Sequence, residues 1–543
     1  MQVLLTPRQA ALSDLVAELK QNPSVTSEEL LRLKSRVGKH YGLTHVIKNA
    51  DVLEAAGPNV SSALKKLLRT RTVRSLSGVS VVALMMRPDW CPHGTCVYCP
   101  GGPNTNSPKS YTGFEPAARR AKQNDFDSRR QVQSRIEQLK AIGHDPQKCE
   151  IILMGGTFNA QPEEYQDAFV KGMYEAFNQQ PSVSWHQAKE QNASAHYRVI
   201  GLTFETKPDW ATPKHLDRLL EYGGTRVELG IQSLDEEVLV KAHRGHTLRD
   251  GWEATEFAKD AFLKVCHHVM PGLFSTPEKD VAMFRELFQN PRWQPDMLKI
   301  YPCLVIPGTQ LYRLWRQGEF EPFTAAQAAE VIARGKAFVP EYCRIMRVDR
   351  DIPTTLIAAG VEKSNLRQLV HERCNQLGIS CRCIRCREAG LKAREGFSFD
   401  WKDVELVRRD YEASKGREVF LSFEAPSLEA MGPAAPSQHG HALLGFLRLR
   451  LPHQPWRPEI TEDTAGVREL HVYGEQVPIH LRKEDAVQHK ALGKRLLAEA
   501  ERIASEEWGC KKLLVISGVG VREYYQKQGY SLEGVYVGKH LTQ

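Results

Sequence analysis

The 543-residue sequence lacks the features of a membrane or exported protein. No apolar run approaches the roughly 20 residues that a transmembrane helix requires, so we expect no association with a membrane. The N-terminus has no basic start followed by a long apolar stretch and a small-residue cleavage site, as a signal peptide would. Many of the twelve cysteines lie in metal-like spacings, so disulfides are not expected and a reducing, cytoplasmic location is favoured.

Acidic residues are absent between Glu54 and Asp89, although the net charge of the whole chain is only +8. A chain of this length cannot be built around one core, so we expect two or three domains. The first 75 residues are rich in basic side chains, namely Lys34, Arg36, Lys39, Lys48, Lys65, Lys66, Arg69, Arg71 and Arg74. Apolar residues recur there at helical spacing (Leu30, Leu31, Leu33 and Val37), after a helix start at Ser27, Glu28 and Glu29. We therefore predict that residues 1-75 form a basic helical segment that contacts the phosphate backbone of a nucleic acid; the alternative is an ordinary solvated face.

Three cysteines, Cys91, Cys96 and Cys99, stand in the run Cys-Pro-His-Gly-Thr-Cys-Val-Tyr-Cys-Pro-Gly-Gly. Three thiolates can hold three irons of a [4Fe-4S] cluster, whereas clusters that only transfer electrons use four cysteines. The fourth iron is then free to chelate a small molecule that is cleaved by one-electron reduction, as in radical S-adenosylmethionine (SAM) enzymes. The spacing is one residue longer than in the commonest motif of those enzymes. A structural zinc site with a distant fourth ligand and simple buried thiols are the alternatives.

Short apolar runs after these cysteines alternate with helix-like stretches. Strands are predicted at 150–154, 199–204 and 226–232, with helices at 162–179 and 213–222 between them. This alternation predicts a parallel sheet in a partial (β/α) barrel, with the active site at the C-terminal ends of the strands. The residues at those ends that we expect to bind SAM are Gly155, Gly156, Thr157, Glu205, Lys207 and Gln232.

A second cysteine cluster comprises Cys374, Cys381, Cys383 and Cys386. The Cys383-x2-Cys386 pair is typical of a zinc knuckle, which Cys374 or Cys381 could complete, with His371 as a reserve ligand. We predict a structural zinc in a linker at 341-400; the alternative is a second iron–sulfur cluster. Upstream, Arg344, Arg347, Asp349, Arg350 and Asp351 form either an arginine-rich surface at the barrel mouth or a salt-bridged loop.

The composition changes near residue 425, where a Pro/Ala/Gly-rich stretch separates two strand-like runs at 418–423 and 442–450. These runs predict an antiparallel hairpin with a long connection. A strand at 465–473, a helix from Gln488 to about Ser505 and a strand at 511–517 follow. Backbone amides at a helix N-terminus provide an anion site suited to a pyrophosphate.

This C-terminal order resembles the GNAT acetyltransferase domain, and we assign residues 401-543 to such an α+β domain. In the GNAT pyrophosphate signature Gln/Arg-x-x-Gly-x-Gly/Ala, Gln488 and Gly493 match, whereas Ala491 replaces the usual glycine. The resemblance implies that acetyl-CoA binds to Glu469, Leu470, His471, Val472, Gln488, His489, Lys490, Ala491, Leu492, Gly493, Lys494 and Tyr524. It also implies catalytic roles for Tyr524 and Tyr525, whose phenols could position or protonate a leaving thiolate.

A radical-SAM barrel (residues 76-340) joined to a GNAT domain is a rare pairing, and with it nearly the whole chain resembles the family of Elongator catalytic subunits. The matching motifs are the three-cysteine run, Gly201–Asp209, Glu228–Ser233, Arg468–Gly474 and Ile516–Tyr525. The resemblance implies an enzyme that places a carboxymethyl-type group, derived from acetyl-CoA by radical SAM chemistry, on carbon 5 of the wobble uridine of tRNA. The cofactors expected are a [4Fe-4S] cluster, SAM and acetyl-CoA, together with the zinc that the second cysteine cluster predicts.

Other consequences follow from the same resemblance. The uridine must leave the anticodon loop, and Tyr301 and Phe323 are two candidates for stacking on it. An electron donor is needed to reduce the cluster, and the chain could form an oligomer. Two functions of other classes stay open, a protein (histone-type) lysine acetyltransferase with a structural iron–sulfur domain and a non-catalytic tRNA-binding scaffold.

Overall fold

The computed structural model of the chain describes residues 5–22, 24–57, 60–70, 78–426, 441–473 and 491–541. Two compact units are present, Met1–Ser75 with Gln133–Gln147, and Leu76–Val132 with Lys148–Gln543. The helices are α1 (Pro7–Gln21), α2 (Ser27–His40), α3 (Asn49–Ala56), α4 (Ser62–Leu68), α5 (Pro116–Gln123), α6 (Ser128–Ala141), α7 (Glu163–Asn178), α8 (Trp185–Gln191), α9 (Pro213–Glu221), α10 (Glu236–Lys241), α11 (Leu248–Asp260), α12 (Pro277–Gln289), α13 (Gln310–Arg316), α14 (Ala325–Lys336), α15 (Leu366–Gln376), α16 (Ile384–Arg387), α17 (Ala389–Arg394), α18 (Leu492–Arg502) and α19 (Arg522–Gln526). None of these helices is long and apolar enough to cross a membrane.

The strands are β1 (Ser80–Met85), β2 (Lys148–Met154), β3 (Arg198–Thr206), β4 (Arg226–Gln232), β5 (Lys264–Val269), β6 (Met297–Ile300), β7 (Arg344–Val348), β8 (Glu405–Ala413), β9 (Gly416–Ala425), β10 (Ala442–Leu451), β11 (Thr464–Val472), β12 (Lys512–Val515), β13 (Ser531–Glu533) and β14 (Tyr536–His540). They form two seven-stranded sheets, and both sheets belong to the larger unit.

The smaller unit is built on helices α1 to α4, whose apolar faces share one core. At the start of α2 the Thr26 hydroxyl accepts the amide hydrogen of Glu29, whose carboxylate accepts the amide hydrogen of Thr26. Thr26 is therefore the cap, and Ser27 is the first helical residue. Leu31 is 65% exposed, so the prediction that it shares the apolar face is wrong.

The basic face of this unit is narrower than expected. The sequence predicts that Lys34 lies on that face, but it is buried because its ammonium contacts the side-chain carbonyl of Asn49. Arg36, Lys39 and Lys65 lie at the surface. Arg71 and Arg74, two further basic residues of the prediction, lie outside the described residues.

The first sheet is parallel throughout, and its strands follow in chain order from β1 to β7. Helices lie between successive strands along the chain, and every residue of β4 is buried, as both-sided cover of a parallel sheet requires. The sheet curls into an open half-barrel, which confirms the predicted α/β architecture of this part. The strands predicted at 150–154, 199–204 and 226–232 are β2, β3 and β4.

The second sheet runs in the order β13-β14-β12-β11-β10-β9-β8 and is antiparallel except between β11 and β12. The predicted hairpin is confirmed as the β9–β10 pair. Helix α18 covers one face of this sheet, where Leu496, Leu497 and Ala500 share a core with strand residues such as Phe423 and Leu447. The connecting stretch 427–440 lies outside the described residues.

The second sheet packs on the N-terminal ends of the barrel strands. Arg468 of β11 donates to Asp296, which directly precedes β6, and Arg450 of β10 donates to Asp260 at the end of α11. Both arginines also donate to Glu418 of β9. These side chains are almost wholly buried, so the two sheets are joined by ion pairs that water does not screen.

A glycine turn makes a second contact with the barrel. The turn at Gly518–Gly520 lies against the start of β3, and a β-carbon at Gly518 would lie 2.1 Å from the carbonyl oxygen of Ile200. Only glycine fits such an approach. The turn that precedes α19 is therefore fixed on the strand that carries Glu205 at its other end.

Candidate active site

A cavity of about 370 Å³ opens among the C-terminal ends of the barrel strands and extends into the barrel interior. Its volume is within the range of small-molecule sites. The predicted SAM and iron–sulfur residues that line it are Cys91, Cys96, Cys99, Gly156, Thr157, Glu205, Lys207 and Gln232. The fold thus brings together residues from four separate segments. Gly155, the one remaining member of the predicted set, lies just behind this wall, against Met86 and Pro108.

The cysteine loop is held by short-range hydrogen bonds to sulfur. The amide of Ser110 donates to Cys99 Sγ over 3.2 Å, and His93 Nε2 lies 3.2 Å from Cys96 Sγ. Burial, followed by the neighbouring thiols, raises the pKa of Cys91 to about 11 and also raises the pKa of Cys99. Thiolates in this loop therefore require a strong cationic partner. Three cysteines at one cavity wall fit an iron–sulfur cluster in which one iron has no protein ligand.

Arg244 supplies part of that positive charge, and sequence reasoning missed it. Its Nη1 donates to Cys96 Sγ over 3.3 Å and its Nη2 donates to the carbonyl oxygen of Gly230 over 2.6 Å. The side chain is 6% exposed. Arg244 follows α10, far from the cysteines in sequence, so no local pattern pointed to it. A β-carbon at Gly230 would lie 3.0 Å from Arg244 Nη2, which explains the glycine there.

Two polar atoms of the predicted SAM residues have no partner among the described residues. Thr157 Oγ1 and Gln232 Oε1 are buried and make no hydrogen bond within that part of the chain. Gln232 also has a positive φ of 68°, a strained conformation for a residue other than glycine. Gly156 has a φ of 117°, and a β-carbon there would meet Lys109 and Cys91. Orphaned atoms and strain at one wall are typical of a ligand site.

A chain of alternating charges continues into the barrel interior. Glu205 accepts from Tyr111 over 3.1 Å, and Lys299 Nζ lies 3.5 Å from its other oxygen. Lys299 also pairs with Glu228, which accepts from His268 over 2.8 Å. The cavity therefore holds fixed positive and negative groups on its inner wall.

The two candidate stacking residues lie in different places. Tyr301 lines the cavity, whereas Phe323 is buried against Gly272, away from the lining. At the mouth, Arg347 pairs with Asp351 and Arg350 donates to the carbonyl of Ser110. Arg347 and Arg350 therefore lie at the cavity, and Arg347 is also part of a salt bridge.

Arg344 lies apart from the rest of that arginine segment. It donates to Tyr473 and Glu388 and does not line the cavity.

The second cysteine cluster is only partly assembled. The sulfurs of Cys381, Cys383 and Cys386 lie within 4.8 Å of one another, a grouping that could hold a metal ion. Cys374 is buried on α15 and His371 is exposed, and neither belongs to this group. Burial would lower the pKa of Lys336, but the nearby cysteines raise it above its usual value. A buried ammonium group therefore lies close to these sulfurs. All twelve cysteines of the chain are free of disulfides.

The described residues that are predicted to bind acetyl-CoA lie on β11, at the start of α18 and, for Tyr524, on α19. Leu470 and Val472 pack against the α18 core, whereas Glu469 accepts from Arg448 over 2.8 Å and His471 lies between aromatic rings. Ala491 caps α18 with a left-handed φ of 57°; Leu492 is buried and Lys494 is exposed. Gln488, His489 and Lys490 lie outside the described residues.

The two tyrosines predicted to be catalytic have different surroundings. A β-carbon at Gly493 would lie 2.9 Å from Tyr524 Oη, so glycine lets this phenol approach the first turn of α18. Tyr525 is 6% exposed and belongs to the core. Burial raises the pKa of both phenols, which stay protonated near neutral pH.

Comparison with known proteins identifies the family. Three family models match: "ELP3 N-terminal domain" over residues 8–76, "Radical SAM superfamily" over 85–288 and "Radical_SAM C-terminal domain" over 295–376. The tRNA uridine(34) acetyltransferase of Methanocaldococcus infernus is 45% identical over 97% of this chain and 98% of its own length. Elongator complex protein 3 of Schizosaccharomyces pombe is 42% identical over 98% and 97%.

A solved structure gives the same result. The archaeal Elp3 of Methanocaldococcus infernus, with an N-terminal deletion, superposes with a TM-score of 0.74 at 43% identity, covering 86% of this chain and all of that one. Relatives at this identity span nearly the full length of the sequence. The chain therefore belongs to the radical SAM family of archaeal tRNA uridine(34) acetyltransferases and Elongator complex protein 3.

Proposed function

We propose that this protein uses SAM and acetyl-CoA to place a carboxymethyl-type group on carbon 5 of the wobble uridine of tRNA. The observation that carries this proposal is one cavity lined both by the three cysteines and by Thr157 and Gln232, whose side-chain oxygens are buried without a partner among the described residues. Relatives that match over nearly the whole chain carry the name tRNA uridine(34) acetyltransferase. Carbon 5 of uracil is a poor nucleophile, so radical chemistry meets a need that simple acyl transfer does not.

Cys91, Cys96 and Cys99 would hold the cluster. When bound, a [4Fe-4S] cluster would supply the electron for reductive cleavage of SAM, and an external electron donor would be required to reduce the cluster. Arg244 offsets the negative charge of the thiolates through its contact with Cys96. Gly156 leaves room beside Cys91, and Glu205 is the carboxylate suited to ribose hydroxyls.

The second sheet would bind acetyl-CoA as a GNAT domain. β11 and β12 pair in parallel only from Thr464 to Val467, and β11 then continues to Val472 without β12 beside it. Because β12 does not pair with this part of β11, backbone N–H and C=O groups of β11 are available to an extended ligand. Helix α18 begins close by, and its amide groups suit a pyrophosphate.

Tyr524 is the better placed of the two proposed catalytic phenols. It contacts the first turn of α18 at Gly493 and is only partly buried, whereas Tyr525 is enclosed by core residues. Its protonated hydroxyl could donate a hydrogen bond to a leaving thiolate. Tyr525 then serves to pack α19 against the sheet.

A zinc ion would be held by Cys381, Cys383 and Cys386. Tetrahedral zinc with Zn–S bonds of about 2.3 Å separates its sulfurs by about 3.8 Å, which agrees with sulfurs that all lie within 4.8 Å of one another. Cys374 remains the proposed fourth ligand and would have to approach from α15. Zinc would tie the segment after α15 to the barrel.

The basic helical unit would bind tRNA through its phosphates. Lys39 and Lys65 are exposed there, and such contacts add affinity without reading sequence. The anticodon loop would then present its uridine to the cavity, because sequence-specific recognition of RNA targets unstacked loop bases.

Mass spectrometry of tRNA nucleosides tests the whole proposal. Reconstituted protein is incubated anaerobically with tRNA, SAM, a reductant and acetyl-CoA, and a carboxymethyl-type uridine is expected. The Cys96→Ala variant is the control and should form none. Transfer of acetyl groups to a basic peptide without RNA, and no modified uridine, would instead support a protein lysine acetyltransferase.

A further inference from the structure

His268 and Lys299 lie side by side on the inner wall of the half-barrel. They are paired residues of the neighbouring parallel strands β5 and β6, and both line the cavity. Neighbouring strands lie about 4.8 Å apart, so the two side chains can contact one small planar molecule together. The proposed modification of uridine assigns neither of them a role.

Glu228 fixes which nitrogen of His268 carries a hydrogen. His268 Nε2 lies 2.8 Å from Glu228 Oε2. Burial alone would raise the pKa of Glu228, but the Lys299 ammonium and His268 itself hold it well below its usual range. The carboxylate is therefore only an acceptor, and Nε2 must be the donor.

Two cationic side chains besides His268 contact the carboxylate of Glu228. Lys299 pairs with Glu228 Oε2, and Arg226 Nε lies 3.4 Å from Oε1. The imidazole tautomer with hydrogen on Nε2 has a lone pair on Nδ1. His268 lines the cavity, and 12% of its side chain is exposed.

Lys299 places a hydrogen-bond donor next to that acceptor. Its ammonium has three hydrogens, of which Glu228 and Glu205 engage two. One remains for a ligand. The ring of Tyr301, whose centroid is 5.5 Å from that of His268, adds an aromatic surface at the same place.

An acceptor beside a donor complements the base-pairing edge of uracil, in which the N3–H donor adjoins the O4 carbonyl acceptor. Cytosine inverts the pattern, because its N3 is an acceptor and its exocyclic amine is a donor. Cytosine would oppose acceptor to acceptor and donor to donor. Enzymes that act on an extruded base read this edge by hydrogen bonds and stack the ring on aromatic side chains.

We infer that His268 Nδ1 and the Lys299 ammonium read the N3–H and the adjacent carbonyl of the uridine, and thereby select uridine over cytidine at the modified position. This inference rests on the proposed function, since it presumes that a tRNA base enters the cavity. His268 is a specificity-determining residue in this account, and Glu228 positions it.

Binding of two anticodon stem-loop RNAs, with uridine or cytidine at the wobble position, tests the inference. Fluorescence anisotropy with the full chain should show at least about tenfold tighter binding of the uridine RNA, since a good base contact contributes about 1–3 kcal/mol of discrimination. His268→Phe keeps a ring but deletes the acceptor, so the ratio should fall below about twofold. His268→Asn places an amide oxygen near the Nδ1 position and should keep most of the preference.

A uridine RNA methylated at N3 makes the same test without altering the protein, because the methyl group removes the donor that Nδ1 would accept. It should bind wild-type protein about as weakly as the cytidine RNA. His215→Phe, outside the cavity, is the matched control and should leave all ratios unchanged. A wild-type ratio near one, an unchanged ratio in His268→Phe, or full binding of the methylated RNA overturns the inference. If none of the RNAs binds, the proposed function itself is contradicted.

Discussion

Replacement of Arg468 with methionine would remove a buried arginine that pairs with one acid of the barrel and one of the second sheet. Arg468 donates to Asp296 over 2.7 Å, to Glu418 over 2.9 Å and to the carbonyl oxygen of Leu263 over 3.0 Å. Its side chain and those of both acids are fully buried. Methionine keeps much of the side-chain length but leaves two carboxylates short of one positive partner.

The expected cost follows from the partners that remain. Removal of one member of a buried ion pair typically costs about 3–5 kcal/mol, because an uncompensated charge stays buried. Asp296 retains Lys259 and Arg448, each 3.7 Å away, and Glu418 retains Arg450. We therefore expect a destabilisation near the lower limit, about 3 kcal/mol.

This destabilisation should depend on pH. Burial alone would raise the pKa of Asp296. The positive charges of Arg468, Lys259 and Arg448 nevertheless hold this pKa far below its usual range. A depressed pKa gives stability that is present above the unfolded value of about 4 and is lost as the pH falls toward the folded value. The variant has less of this stability to lose, so its difference from wild type should be largest above about pH 5 and should narrow below about pH 4.

Urea denaturation followed by tryptophan fluorescence measures the change, since Trp456 of the second sheet's connection donates to the carbonyl oxygen of Phe257 on the barrel. Arg502→Met is the control, because Arg502 has ion pairs of similar length but is 39% exposed, and its replacement should cost less than about 1 kcal/mol. Equal midpoints for Arg468→Met and wild type at about pH 7 would refute the stabilising role of the buried ion pairs.

Three further predictions concern the proposed sites. Cys383→Ser with Cys386→Ser should remove one zinc per chain by elemental analysis while the iron content stays unchanged, and removal of iron instead would mean that the second cluster is an iron–sulfur site. Lys39→Gln with Lys65→Gln should weaken tRNA binding and reduce the slope of log K against log salt by about 0.7–0.9 for each phosphate that is no longer neutralised. An unchanged slope would show that these lysines are only solvated and do not contact tRNA. Tyr524→Phe should remove most of any tRNA-stimulated acetyl-CoA hydrolysis, while SAM cleavage persists. Tyr525→Phe is the matched control and should retain this hydrolysis. Equal hydrolysis by the two variants would show that the Tyr524 hydroxyl is dispensable.

Much of the fold could be predicted because apolar runs between polar ends are strong signals. β4 is buried along its whole length, and Val227, Leu229 and Ile231 recur in it at every second position, which is the spacing of a strand. β8 was not predicted because it is the edge strand of the second sheet and carries alternating charged residues, as in Glu405–Ala413. Lys34 was misplaced because a lysine on a helix gives no sign that an asparagine from α3 will bury it.

The candidate site was predictable only where its residues stand next to recognisable motifs. The cysteine loop and the ends of β2, β3 and β4 all reach one cavity, since parallel strands end at the same edge. Arg244, Lys299 and His268 escaped prediction because their roles depend on which strands become neighbours. The depth of Tyr525 in the core likewise depends on packing that no local pattern reveals.

The arginines on the barrel-facing side of the second sheet have a consequence for attempts to express that sheet by itself. Without the barrel, Arg448, Arg450 and Arg468 would lose Asp260 and Asp296 and would share only the acids of their own sheet. Gly518 would likewise lose its close contact with Ile200 of β3. A fragment beginning near residue 405 should therefore be prone to aggregation or misfolding, and thioester chemistry measured on it would not represent that of the intact chain.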